Sequence, residues 1–190
     1  SRYAQAREKF KDIIVKKQHE NLIYHPDIDA YYISLPPGKH YEFVRKCLEA
    51  GKHVYCEKPL TLCSKQADEL FLLADQKEKT LVEGYMYFHS NQFEKLEKII
   101  STDIGKIKFI HSSFTIPLSD RTNFRYEKNI GGGGLYDTCG YPLSLMLYLL
   151  GNRIKLKSLT KIIEPKTRII ESGMVYLEGE SCAGSISFGL

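Results

Sequence analysis

The sequence predicts an α/β protein: a partial doubly wound parallel sheet followed by an α+β portion with an open, mainly antiparallel sheet. Three observations predict it. Short apolar segments alternate with helical ones up to about residue 88. Such β-α-β-α-β units with short connections pair their strands in parallel. After about residue 90 longer alternating segments follow one another with turn signals between them, which is the pattern of antiparallel strands. Hydrophobic residues make up 43% of the 190-residue chain and charged residues 26%, enough for a packed core and against disorder.

The elements follow in order. Residues 2–10 read as a helix and 20–25 as a short helical piece closed by Pro26. Residues 29–34 form the first strand, stopped by Pro36-Pro37-Gly38. The helix over 40–50 places Tyr41, Val44, Cys47 and Leu48 on one face and ends at Gly51. Residues 53–56 are the second strand. Ser64 is a candidate cap for a helix reaching about Asp75, with Ala67, Leu70, Leu73 and Ala74 inward. Residues 80–83 are the third strand. The division into domains is placed at 1–88 and 89–190. Residues 91–100 are a helix and 106–116 a strand. The polar loop 119–130 leads to four consecutive glycines, and 135–150 reads as one strongly apolar helix. Residues 155–162, 169–177 and 182–188 complete the second sheet.

Charge and cysteines narrow the function. The net charge of +4 is spread along the chain, whereas nucleic-acid binding wants clustered Lys and Arg. No apolar run approaches the roughly 20 residues that span a bilayer. Neither nucleic acid nor membrane is expected as a partner. Five cysteines without metal-type pairs point to a reduced, cytoplasmic setting. His25, His89 and His111 lack ligand spacing, so no metal is expected.

In a doubly wound sheet, ligands sit beyond the carboxyl ends of the strands. Residues 34–37, 57–59 and 83–85 are therefore expected to line one crevice. Lys58 has the reach to polarise or deprotonate a hydroxyl there, and partial desolvation would lower its pKa. By itself Glu57-Lys58-Pro59 also fits a solvent-facing turn. Asp137 and Tyr141, four residues apart, would share a helix face and point at a common cleft. A first-turn acid at the helix dipole and a packed tyrosine remain the alternative. His40 stands at a helix start beside the crevice, as a ligand contact or simply a first-turn residue. Residues 131–134 lack the Lys-Ser pair of a phosphate loop and follow a polar loop, so a tight backbone approach to substrate or to the other domain is expected.

Read together, these segments resemble the glucose–fructose oxidoreductase / inositol dehydrogenase (Gfo/Idh/MocA) family. The residues that carry the likeness are HPDIDAYYISLPPGKHYEFVRKCLEAGKHVYCEKPL, followed by the glycines and DTCGY. The resemblance implies a Rossmann domain for NADP or NAD and a second domain for a sugar, polyol or nucleotide sugar. It implies Lys58 and Tyr141 as the catalytic pair, with Asp137 binding substrate hydroxyls and helping the relay. Lys58 is expected to lower the pKa of Tyr141. Lys58, Arg125, Asp137 and Tyr141 match substrate-binding positions. Arg2, Ser34, Leu35, Pro36, Pro37, His40, Glu57 and Lys58 match cofactor-contacting ones. Arg2 would meet the 2′-phosphate of NADP, which weakly favours that cofactor.

The implied activity is hydride transfer between nicotinamide and a carbinol or keto carbon. A non-catalytic dinucleotide-binding sensor or scaffold is the runner-up, and a structural remnant that binds nothing is a third reading. A homo-oligomer through the open sheet is implied as well. The sequence shows no G-x-G-x-x-G, and members of the family continue beyond the position of Leu190. The segment is thus expected to lack the glycine loop and the C-terminal end, and to be inactive alone. Where relatives often have an arginine before Phe-His-Pro, this chain has Met86-Tyr87-Phe88-His89-Ser90.

Overall fold

A computed structural model describes residues 2–13, 15–16, 20–151 and 153–190. Helices α1 (Arg2–Lys9) and α2 (Glu20–Ile23) precede a three-stranded parallel sheet. Its strands are β1 (Ala30–Ile33), β2 (His53–Glu57) and β3 (Leu81–Gly84), in the order β1-β2-β3. Ala30 pairs with His53, and Val54 with Leu81. Helices α3 (His40–Glu49) and α4 (Ser64–Gln76) make the two crossovers. Their apolar stripes and one sheet face share a core that contains Ile33, Val44, Leu48, Val54, Cys56 and Leu70.

Two local expectations change. His40, with Val44, Cys47 and Leu48, forms the buried face of α3. Tyr41 packs half-buried against the same core, as expected, and donates its hydroxyl to Glu69 Oε2 at 2.7 Å. Ser64 is the first helical residue of α4. Cys63 holds the cap position with extended backbone and makes no side-chain cap bond.

Helix α5 (Asn91–Ile99) runs into a π-type turn over Ile100–Ile104. Then follow β4 (Phe109–Thr115), α6 (Gly134–Asp137), α7 (Gly140–Leu150), β5 (Lys155–Ile163), β6 (Ile170–Glu178) and β7 (Ala183–Gly189). The second sheet has the order β4-β7-β6-β5. β5–β6 and β6–β7 are antiparallel, but β4 pairs with β7 in parallel, Phe109 opposite Ala183. The sheet is therefore mixed. A parallel pair needs a long crossover, and here everything from α6 to β6 lies between the partners. Helix α7 and Cys139 pack on one face against Val175, Leu177, Ile186 and Phe188.

The expected single helix over 135–150 is two. Pro142 has no N–H to give the carbonyl of residue 138, and its ring excludes that carbonyl from a continuous helix. The Thr138 hydroxyl instead turns back to the Gly134 carbonyl at 2.9 Å. Asp137 thus closes α6, and Tyr141 stands in the first turn of α7.

The glycines bring backbone against backbone. A Cβ on Gly38 would stand 2.7 Å from the Ile130 Cα, so the turns after β1 and before α6 touch directly. Gly131 adopts φ +84°, a left-handed conformation that glycine accepts freely. A Cβ on Gly134 would collide with the carbonyl oxygen of Glu171 in β6. The run therefore seats α6 between β6 and the loops that follow β1 and β2. No helix among the described residues is long and apolar enough to cross a membrane.

Candidate active site

Lys58 follows the last residue of β2, at the carboxyl edge of the parallel sheet, and its bond to Pro59 is cis. Its ammonium reaches across to the second half of the chain. It donates to Asp137 Oδ1 at 3.0 Å and to the Asp137 carbonyl at 2.5 Å. The other carboxylate oxygen, Oδ2, accepts from Arg125 Nε at 2.5 Å. The polar loop is shaped for this contact: the Asn123 side chain accepts from the Arg125 N–H and turns the short 3₁₀ segment Phe124–Tyr126.

Burial pushes the Asp137 carboxyl up, but the Arg125 hydrogen bond and the Lys58 charge together hold it below the ordinary carboxylate range. Asp137 is thus an ionised, doubly anchored acceptor. Among the described residues, no group of His, Cys, Asp and Glu could hold a metal ion.

Tyr141 lies with its ring under the same ammonium, 4.8 Å from Lys58 Nζ to the ring centroid. Phe114, Tyr85 and Tyr87 surround the ring at centroid distances of 4.9, 5.8 and 5.9 Å. Tyr87 also bridges to Ser144 Oγ at 2.7 Å and fixes the start of α7. The Tyr141 hydroxyl has no partner among the described residues. Its pKa is raised, first by burial and then by Glu57, Asp137 and Tyr55. This corrects the expectation that Lys58 lowers it. The ammonium faces the ring and makes no hydrogen bond to the hydroxyl, so desolvation and the carboxylates decide the direction.

A cavity of about 340 Å³ joins these groups. Leu35, Pro37, Glu57, Lys58, Arg125, Asp137 and Tyr141 all line it, together with Phe114, Ile116, Phe124 and Gly131. Several sequence-predicted residues stand elsewhere. Ser34 borders a separate hollow beside β1, and Pro36 precedes the 3₁₀ turn Pro37–Lys39 without lining the cavity. The Arg2 backbone opens α1, but Ser1 and the Arg2 side chain lie outside the described residues.

His40 is fully buried, with Nδ1 2.8 Å from the Pro59 carbonyl and Nε2 2.6 Å from the Leu35 carbonyl. As a direct ligand contact it is corrected by this geometry: both ring nitrogens face backbone, and none of its surface is open. It joins the two loops that carry Leu35 and Lys58. His40→Phe should lower stability by about 1–3 kcal/mol, because buried carbonyls lose a donor. Thermal melting would check this, and an unchanged melting temperature would remove the role.

The third crevice segment departs too. The Glu83 carboxylate accepts from the Leu60 N–H at 2.8 Å and does not line the cavity, while Tyr85 stands behind Tyr141. Sequence reasoning missed Phe114, Ile116 and Phe124 as cavity walls. Phe124 is adjacent to Arg125 and was within reach of inspection. Phe114 lies in β4 and Ile116 just past its end, where their facing is set by the partner strand β7.

Comparison with known proteins finds matches over most of the chain. Residues 1–85 match the family described as "Oxidoreductase family, NAD-binding Rossmann fold", and residues 93–188 match the "GFO/IDH/MocA C-terminal domain". The chain is 34% identical to a dTDP-3,4-didehydro-2,6-dideoxy-alpha-D-glucose 3-reductase of Saccharopolyspora spinosa, over 85% of this chain and 49% of that protein. It is 31% identical to a D-xylose 1-dehydrogenase (NADP(+)) of Haloferax volcanii, over 70% and 41%. A crystal structure of a 3-ketoreductase from Actinomadura kijaniata with NADP and TDP-benzene superposes with a TM-score of 0.93 at 30% identity. It covers all of this chain and 58% of that one. The chain spans about half the length of the curated relatives it matches.

Proposed function

Because the chain belongs to the Gfo/Idh/MocA oxidoreductase family, we propose that the whole protein moves a hydride between a nicotinamide dinucleotide and a carbinol or keto carbon of a sugar, polyol or nucleotide sugar. One observation carries this reading: Lys58 from the parallel sheet meets Asp137 and Tyr141 from the second half at one cavity on the carboxyl edge of the strands. The division at about residue 88 belongs to the same reading, as does the assignment of each site residue.

The residues present fit the nicotinamide end of such a cofactor. Leu35 and Pro37 give an apolar wall in the same cavity as Glu57 and Lys58, suited to a flat ring with a polar edge. When bound, the nicotinamide supplies or takes the hydride. The chain's own residues handle the proton. Lys58 binds and orients the oxygen on the reacting carbon. The Tyr141 hydroxyl, kept protonated by its raised pKa, gives its proton to that oxygen in reduction and recovers it in oxidation. Asp137, fixed by Arg125, holds Lys58 in place and accepts from a neighbouring substrate hydroxyl.

We favour NADP over NAD, on the match of Arg2 to a phosphate-contacting position and on the cofactor named for two of the similar proteins. A cytoplasmic setting suits five free cysteines. The uncovered face of the second sheet, with Phe109, Met174 and Tyr176 exposed, is the surface through which we expect self-association.

The test uses the complete gene product. Absorbance of reduced nicotinamide is followed with keto sugars, polyols and nucleotide-linked keto sugars, and both cofactors are titrated calorimetrically. Turnover is expected, with NADP bound at least tenfold more tightly than NAD. Binding without turnover on any of these compounds would hand the protein to the sensor reading. No dinucleotide binding would overturn both.

A further inference from the structure

The peptide unit that follows Lys58-Pro59 is gripped at both of its polar ends. Its carbonyl, from Pro59, lies 2.8 Å from His40 Nδ1 on α3. Its N–H, from Leu60, donates to Glu83 Oε1 on β3 at 2.8 Å. The carbonyl and N–H of a trans peptide point in opposite directions within one plane, so the two side chains hold that plane from opposite sides. Before Lys58, Glu57 is paired with Gly84 in the ladder of β2 and β3. After it, the Pro59 ring fixes its own φ, and Leu60 is buried in the core of the parallel half. The Lys58 backbone thus starts from a paired strand residue and ends at a clamped plane. Glu83 stands opposite Cys56 in the same ladder. Burial first, and the Glu83 charge next, push the Cys56 thiol up to about 12 and raise the Tyr85 hydroxyl as well. Tyr85 in turn meets the Tyr141 ring edge-on. The carboxylate therefore lies behind both Lys58 and Tyr141, outside the cavity they line. Among the described residues its side chain makes no other hydrogen bond or ion pair.

We propose that Glu83 is a positioning residue for the Lys58 ammonium: by holding the Leu60 N–H it fixes the loop from which Lys58 reaches the reacting oxygen. The inference rests on the proposed function and adds to it a residue that acts from outside the cavity. What Glu83 contributes is an acceptor oxygen at the right reach, not its charge. Asp137 steadies the ammonium at its tip, but that bond depends on where the Lys58 backbone begins. A reacting group misplaced by roughly 1 Å costs on the order of 10²-fold in rate. His40 grips the same plane and the Leu35 carbonyl too, so Glu83 is the side chain whose substitution reads this grip alone.

Two substitutions in the complete protein separate reach from charge. Glu83→Gln keeps the acceptor and its reach without the charge. Glu83→Asp keeps the charge and shortens the side chain by one methylene. Glu83→Gln should keep kcat within about threefold of wild type, and Glu83→Asp should lower it by about 10- to 100-fold. Calorimetric titration should find NADP affinity within about threefold of wild type in both, because the misplaced group is the one that meets the reacting oxygen. In a Lys58→Met background, Glu83→Asp should cost no more than about threefold further, since residues that act as one unit are not additive. Damage independent of Lys58 would multiply with the Lys58 loss instead. Glu83→Asp as fast as wild type, Glu83→Gln as slow as Glu83→Asp, a full-sized loss in the Lys58→Met background, or NADP affinity falling in step with turnover would each overturn the proposal. Melting curves accompany each variant, and failure of either to fold would overturn it too, by making Glu83 a residue of the fold. A wild type without turnover would end the proposed function and this inference together. A wild type that turns over beside an unimpaired Glu83→Asp would end this inference alone.

Discussion

Lys58→Met in the complete protein is expected to lower turnover by about 10²–10⁴-fold, the range of a positioned proton-transfer or polarising group. Cofactor affinity should change far less. The methionine side chain fills much of the lysine's volume but carries no charge, so the oxygen of the reacting carbon loses its cation. The side effect on the fold is limited by the arrangement around Asp137. Breaking a buried ion pair outright costs about 3–5 kcal/mol, but the Asp137 carboxylate keeps its 2.5 Å bond from Arg125 when Lys58 is gone. The melting temperature should therefore fall modestly while turnover collapses. Lys58→Arg restores the charge as a planar fork and should recover little, since an ammonium and a guanidinium present donors differently. Steady-state kinetics with a cofactor titration checks all three statements, and near-native turnover of the methionine variant would remove Lys58 from the mechanism.

Tyr141→Phe should produce a loss of the same order, about 10²–10⁴-fold, at nearly unchanged stability. The phenyl ring keeps its packing against Phe114, Tyr85 and Tyr87. The deleted hydroxyl has no partner among the described residues, so the usual hydrogen-bond contribution of about 0.5–1.5 kcal/mol is not at stake. The pH dependence has a definite sign. Burial and the carboxylates raise the pKa of Tyr141, so the donor stays protonated through neutral pH. Reduction by the wild type should be flat there and fall only at strongly alkaline pH. Tyr141→His should retain part of the activity and move the falling limb toward about pH 6.5, where imidazole loses its proton. A phenylalanine variant as fast as wild type, or a histidine variant with an unmoved profile, would end the assignment.

The parallel half of the fold was legible because its signals are local. The apolar strands, the Pro36-Pro37-Gly38 stop and the stripe Val44, Cys47 and Leu48 each sit within one element. That Lys58, Asp137 and Tyr141 deserve to be looked at together was legible for the same reason: they lie beside a Pro-marked turn and a glycine run, and the structure brings them to one cavity. What failed depends on contacts between distant segments. Nothing near His40 says that its ring will be enclosed between the carbonyls of Leu35 and Pro59. The Glu83 carboxylate is diverted by the Leu60 N–H, and the parallel β4–β7 pair joins residues about 74 apart in the chain. The division between α6 and α7 had a local signal, Pro142, which the apolar run around it concealed. The direction of the Tyr141 shift needed the structure, because it is decided by what surrounds the ring.

The direct meeting of the two turns, Gly38 against Ile130 and Gly131 against Pro37 and Leu62, limits how the halves can be recombined. Neither half contains the whole of the proposed proton-handling set: the first brings Lys58, the second Asp137, Arg125 and Tyr141. A chimera that takes one half from a relative would inherit both sets of side chains and still misplace them if these two surfaces came from different parents. Modular exchange in this protein has its seam at that contact, so a graft has to carry residues 37–38 and 130–131 as a matched pair.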